Sequence, residues 1–121
     1  MTSGRRQLPV LLLALGAALP IVSGCGSSGP TNEDQITALV KDEGTNPASL
    51  CGHLTDELLA RFGGRSNCLR QAAASVRDPS THASAVKVTG STATAVVSDR
   101  TGTRTVRLVR QQGTWKISGV Q

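Results

Sequence analysis

Two periodicities divide this chain. Between residues 32 and 76 apolar residues recur every three to four positions, as on one face of a helix; after His82 they alternate with polar ones, as on a half-buried strand. Ile36, Leu39 and Val40 stand at i, i+3 and i+4. Thr31-Asn32 precedes them as a cap, Glu33 and Asp34 occupy a first turn where the helix dipole favours acids, and Gly44 follows as a stop. These signals predict a helix over 32–43. Asn46-Pro47 restarts a helix, since proline is tolerated at a first helical position, and Leu50, Cys51, Leu54, Leu58, Leu59 and Phe62 form its apolar face up to Gly63-Gly64. A third helix, capped by Ser66 or Asn67, carries Cys68, Leu69, Ala72, Ala73 and Val76. It ends at Asp78-Pro79, because the residue before proline is pushed out of the helical region. Beyond His82, Ser84-Val86-Val88, Ala93-Ala95-Val97, Val106-Leu108 and Trp115-Ile117 alternate with polar residues. Turn-forming residues separate them at Thr89-Gly90-Ser91, Asp99-Arg100-Thr101-Gly102 and Gln111-Gln112-Gly113.

Helices first and a meander afterwards predict an α+β domain, three helices packed on one face of a four-stranded antiparallel sheet. Phe62 and Trp115 are the only aromatic residues, so the core rests on Leu, Val, Ile and Ala. Such a core buries less area per residue than an aromatic one, and a covalent staple would help it.

Ahead of this domain, Met1–Gln7 is short and positive, with Arg5 and Arg6, and Leu8–Val22 is apolar and uncharged. That run is shorter than the ~20 residues a helix needs to cross a bilayer, and Pro9 and Pro20 shorten its usable part. A positive start, a short apolar stretch and small residues afterwards mark a secretory signal peptide. Its ending, Val22-Ser23-Gly24-Cys25, resembles the lipobox of bacterial lipoproteins: an aliphatic residue, two small residues and an obligatory cysteine. The resemblance implies a diacylglyceryl group on the Cys25 thiol, cleavage ahead of Cys25, and a protein lipid-anchored on the extracytoplasmic face of the cell membrane. Two acyl chains hold such an anchor firmly where one holds it only marginally. Residues 1–24 are then the leader, 25–31 a Gly/Ser-rich flexible tether and 32–121 the folded domain.

Export makes disulfides permissible, and setting Cys25 aside leaves an even pair, Cys51 and Cys68. In one straight helix over 47–62, antiparallel to the next, the two would stand roughly 15 Å apart along the axis. A disulfide needs Cα atoms within about 7 Å. The bond therefore requires a bend near His53–Thr55, where Thr55-Asp56-Glu57 reads as a fresh cap followed by acids.

Charge and chemistry narrow the functional classes. Of the 13 Lys and Arg residues, Arg5 and Arg6 fall in the leader, while the 8 Asp and Glu all lie beyond it. Acids dominate 31–60 (Glu33, Asp34, Asp42, Glu43, Asp56 and Glu57 against Lys41), whereas residues 61–121 are basic against only Asp78 and Asp99. A basic half could face anionic headgroups or an acidic partner, or form solvated strand faces. Nucleic acid is excluded as a partner by export and by the lack of aromatics to stack bases. His53 and His82 are the only histidines, and with two cysteines spent on a bond no zinc set remains. Asp56 and Glu57 are adjacent on a helix and do not face one another, a poor acid–base pair. No catalytic residue, metal site or cofactor is implied. Strand parity puts Arg104 and Arg110 on the face of Val106 and Leu108, at ends that overhang the core, with Arg107 on the other face. Either Arg104 or Arg110 could meet an anion.

The motif Cys51-x-x-Leu54-Thr55, Cys68 entering the next helix, and the closing Gly113-Thr114-Trp115-Lys116-Ile117 resemble the small nuclear-transport-factor-2-like domains of exported actinobacterial lipoproteins. The resemblance implies a cone-like α+β fold over 31–121, in a superfamily whose members hold ligands in the cone mouth, act as enzymes or do neither. Its isomerases and dehydratases place His, Asp or Tyr in an apolar pocket; here Tyr is absent and the inward strand positions are small aliphatics. The reading is a non-enzymatic binding or interaction domain on a membrane-anchored lipoprotein, the partner being a protein or small molecule. A cone-type enzyme and a structural envelope spacer are the alternatives. Cys25→Ser should leave the precursor uncut or release the protein from membranes, read by fractionation and immunoblot; a variant still processed and retained overturns the anchor.

Overall fold

The computed structural model describes residues 29–121. The predicted leader, the lipobox with Cys25 and the tether as far as residue 28 lie outside the described residues. The chain runs through α1 (Asn32–Thr45), a 3-10 helix (Pro47–Gly52), α2 (Asp56–Arg61) and α3 (Arg65–Ala73). It continues as β1 (His82–Thr89), β2 (Thr92–Asp99), β3 (Gly102–Gln111) and β4 (Thr114–Val120), a sheet of four antiparallel strands in sequence order. The α+β arrangement is as the periodicity predicts, but four helical segments stand where three were expected.

A capping box starts α1: the Thr31 hydroxyl accepts from the Asp34 N–H at 3.1 Å, and the Asp34 carboxylate accepts from the Thr31 N–H at 3.2 Å. The helix does not stop at Gly44. That glycine lies inside the last turn, where the segment before β1 crosses it. The Asp78 N–H donates to the Gly44 carbonyl at 2.8 Å, and a β-carbon here would fall 2.6 Å from the Asp78 carbonyl oxygen and collide with Thr81. Close approach, not termination, is what requires glycine at this position.

The helix predicted over 47–62 breaks at His53–Thr55 as the disulfide geometry demanded, and its first half is a 3-10 helix. The break is held by the sheet. The Thr55 N–H donates to the Ile117 carbonyl at 2.9 Å and the Ile117 N–H to the His53 carbonyl at 2.6 Å, an isolated parallel bridge centred on Leu54. Part of the outer edge of β4 is thereby covered. The Thr55 hydroxyl, buried, accepts from the Leu58 N–H at 3.2 Å and caps α2.

Past Phe62 the cap differs from expectation. Gly64, at φ 89°, occupies the N-cap of α3 without a side-chain bond, and neither Ser66 nor Asn67 serves. The Asn67 amide packs instead on Gly63, filling the place a β-carbon there would take. Val76 lies beyond the helix and is 81% exposed. Cys68 is the one buried residue of α3. It meets Cys51 in disulfide geometry, with sulfurs 2.06 Å and Cα atoms 5.8 Å apart.

On the sheet, Ala93, Ala95 and Val97 of β2, Val106 and Leu108 of β3, and Trp115 and Ile117 of β4 are buried against Ile36, Leu39 and Val40 of α1 and against Leu54 and Leu58. Strand β1 departs from strict alternation. The register slips between Ser84 and Lys87, and Ala85 takes φ 48°. One extra residue reverses the parity, so Ala83 joins Val86 and Val88 in facing the core while Ser84 is exposed. A second slip pairs Leu108 with Ile117 but Arg107 with Gly119, leaving Ser118 as the extra residue of β4.

Because Cys68 is the only buried anchor of α3, the disulfide carries much of that helix's attachment. For a sequence separation of 17 residues, replacing both Cys51 and Cys68 by Ala should cost roughly 3 kcal/mol of stability by denaturant melt. Amide exchange should speed first over Arg65–Ala73 and least in β2 and β3. Non-reducing peptide mapping should find the two cysteines linked.

Candidate functional site

Between the helical layer and the inner face of the sheet the molecule is open at one end. The opening has two lobes that share Glu43, Leu50, Phe62 and Arg104 as a common wall. One lobe, about 500 Å³, lies between the end of α1, α3 and the segment before β1, against Pro47, Cys68, Ala72 and Thr81. The other, about 420 Å³, lies between α2 and the adjoining ends of β3 and β4, against Leu54, Leu58, Val106, Ile117 and Val120. Both volumes fall in the ~300–1,000 Å³ range of small-molecule sites. The sharp break at His53–Thr55 creates the second lobe by turning α2 across the sheet end.

An ion cluster closes the shared wall. Arg104 Nη1 donates to Asp99 at 2.8 Å, and Arg104 Nη2 reaches Glu43 at 3.4 Å. Burial pushes the Glu43 carboxyl up from its ordinary pKa, and the charge of Arg104 only partly offsets it. Asp99 is held well below the usual carboxylate range, first by the Thr101 hydroxyl and then by the Arg104 guanidinium. Next to this cluster Asp78 is lowered to about 2, chiefly by the Ser80 hydroxyl and then by the Arg100 N–H, which donates to it at 2.9 Å. Two carboxylates thus engage the one guanidinium facing the shared wall, so the wall itself presents no unmatched positive charge.

Arg104 and Arg110 do overhang the core on the inner face, at opposite ends of β3 and roughly 20 Å apart at ~3.4 Å per residue. Arg104 stands in the cleft with its two acids. Arg110 donates to the Asn32 side-chain oxygen at 2.8 Å, an oxygen that also accepts from Trp115 Nε1 at 3.3 Å. The histidines stand elsewhere: His53 Nε2 is 3.6 Å from Asp42, His82 Nδ1 is 2.8 Å from the Ser80 carbonyl, and neither lines either lobe. Asp56 and Glu57 sit in the first turn of α2. Among the described residues no group of three or more His, Cys, Asp and Glu converges as a metal site would, and no helix is long and apolar enough to cross a membrane.

Comparison with protein-family models, curated proteins and solved structures gives no match to this chain.

Sequence reasoning passed over Glu43, Asp99 and Phe62 as members of a site. A signal existed for the first two. Glu43 stands seven residues after Ile36, on the apolar stripe of α1, and Asp99 shares the inward parity of Ala93, Ala95 and Val97. A carboxylate on an apolar face needs a partner, and Arg104 has the matching parity across the β2–β3 turn.

The acid response follows from Asp78. Its folded pKa of about 2 lies below the 3.8 of an unperturbed carboxyl, so its contribution to stability is fully present above pH ~4 and is lost as pH falls toward 2. Asp78→Asn should lower the melting temperature at neutral pH and flatten the decline of melting temperature between pH ~4 and ~2 relative to the parent chain.

Proposed function

We propose that the domain is a non-enzymatic binding module which takes a small amphipathic molecule into the cleft between α2 and the sheet, and that it is carried on an exported lipoprotein anchored through Cys25. The observation that carries the binding reading is the cleft itself: apolar walls open to solvent, with the ions of the shared wall engaged with one another. Such a site takes up an apolar group while the ions of its inner wall keep their partners. Phe62, at 36% exposed and common to both lobes, offers the ligand an aromatic surface at the entrance.

The order of helices followed by a meander, with an opening between the layers, supports reading the domain as a small cone of the nuclear-transport-factor-2 kind. The leader and lipobox support the anchor. An enzyme reading draws on Glu43 alone, an acid with a raised pKa beside an apolar cavity. Its carboxylate is engaged by Arg104 and no histidine lines the cleft, so support lies with binding.

The test uses the neutral dye N-phenylnaphthylamine, whose fluorescence rises in apolar surroundings. Saturable binding by the parent chain is expected, weakened at least tenfold by Phe62→Asp or Val120→Asp and unchanged by Ser84→Asp on the exposed face of β1, at the far edge of the sheet. Loss of saturation, or equal effects of all three variants, would overturn the reading.

A further inference from the structure

The lobe between α2 and the ends of β3 and β4 is lined by three arginines and a single carboxylate. Arg104 is engaged by Glu43 and, more closely, by Asp99. Arg61 and Arg107 remain, and neither makes an ion pair among the described residues. Both are exposed. Arg61 closes α2, so its side chain leaves the end of that helix on one side of the opening.

Arg107 arrives from the other side by an unusual route. Its parity directs it to the outer face of the sheet, opposite Gly119 of β4. It lines the lobe because its guanidinium lies across Gly119, where a β-carbon would come within 2.6 Å of Nη2. The bulge at Ser118 is what brings Gly119, rather than a residue with a side chain, opposite Arg107. Two like charges border one apolar opening and lack an acid to share. An anion held there would relieve both, and the planar guanidinium fork suits a carboxylate or phosphate oxygen pair.

Resting on the binding reading above, we infer that this lobe takes a single-chain amphiphile with an anionic head, its head between Arg61 and Arg107 and its tail against Leu54, Leu58 and Phe62. The orientation follows from the charges. The unpaired cations stand at the opening, and behind them two carboxylates already occupy Arg104 and repel an anionic head, so the tail enters first. A volume of about 420 Å³ suits one chain of medium length rather than the paired chains of a bilayer lipid.

The experiment displaces N-phenylnaphthylamine from the full chain with dodecanoate, dodecyl phosphate, dodecanol and dodecyltrimethylammonium, each kept below its micellar concentration. Dodecanoate or dodecyl phosphate should displace the dye at concentrations at least tenfold below dodecanol, with the cationic amphiphile weakest; which of the two anions is preferred identifies the head. Arg61→Gln with Arg107→Gln should bring the anions level with dodecanol. Gly119→Val, which pushes the Arg107 guanidinium aside, should lose part of the same preference. Equal displacement by anion and alcohol on the parent chain, or a preference that survives the double substitution, overturns the inference and leaves the binding reading standing. If the dye does not bind the parent chain, the binding reading falls and this inference falls with it.

Discussion

Two hydrogen bonds, from Thr55 N–H to the Ile117 carbonyl and from Ile117 N–H to the His53 carbonyl, tie the helical chain beyond α1 to the sheet. They convert three residues between helices into a short partner for β4. The 3-10 helix must then end at Gly52, and α2 must leave in a new direction from a cap set by the buried Thr55 hydroxyl. Cys51 comes within reach of Cys68 as a consequence, and α3 is held where it can form the far wall of the cleft. An aliphatic core with few large side chains has little area to spare for positioning a loosely packed helix. A bridge to the sheet edge and a covalent link do that work here.

The features legible in the sequence were the local or strictly periodic ones. The start of α1 showed in Thr31, Glu33 and Asp34, and the inner faces of β2, β3 and β4 showed in the alternation around Ala95, Leu108 and Trp115. The bend at His53–Thr55 was legible for an indirect reason: a distance constraint between two cysteines ruled out a straight helix. What escaped depended on contacts remote in sequence. Gly44 looks like a stop until the segment around Asp78 is laid over it. The bulge at Ala85 leaves no mark in a run that alternates well either way, and Gly64 replaced Ser66 and Asn67 as a cap because the turn needs its positive φ. The cleft was half legible. Arg104 declared its side of the sheet, but its partner Glu43 comes from a helix 61 residues earlier in the chain.

Charge is arranged in two tiers around the opening. On the shared wall, Asp99 and Glu43 meet Arg104, so partly buried ions are matched within the protein. At the entrance, where water screens them, Arg61 and Arg107 are left without such partners among the described residues. A domain that needed its charges only for folding would gain little from the second tier, because exposed cations of one sign contribute no attraction of their own. On the proposed reading, the inner ions serve the fold and the outer pair of arginines meets the head of a ligand.

Asn32 gives the molecule a mechanical property. Its side-chain oxygen is gripped by Arg110 of β3 and by the indole N–H of Trp115 on β4, at the point where the chain enters the domain. A pull arriving through Pro30 therefore does not simply peel α1 away from its first turn. The load passes sideways into two neighbouring strands, whose ladder bonds share it. The entry point is thus tied to the sheet at the end of β3 opposite the opening near Arg104.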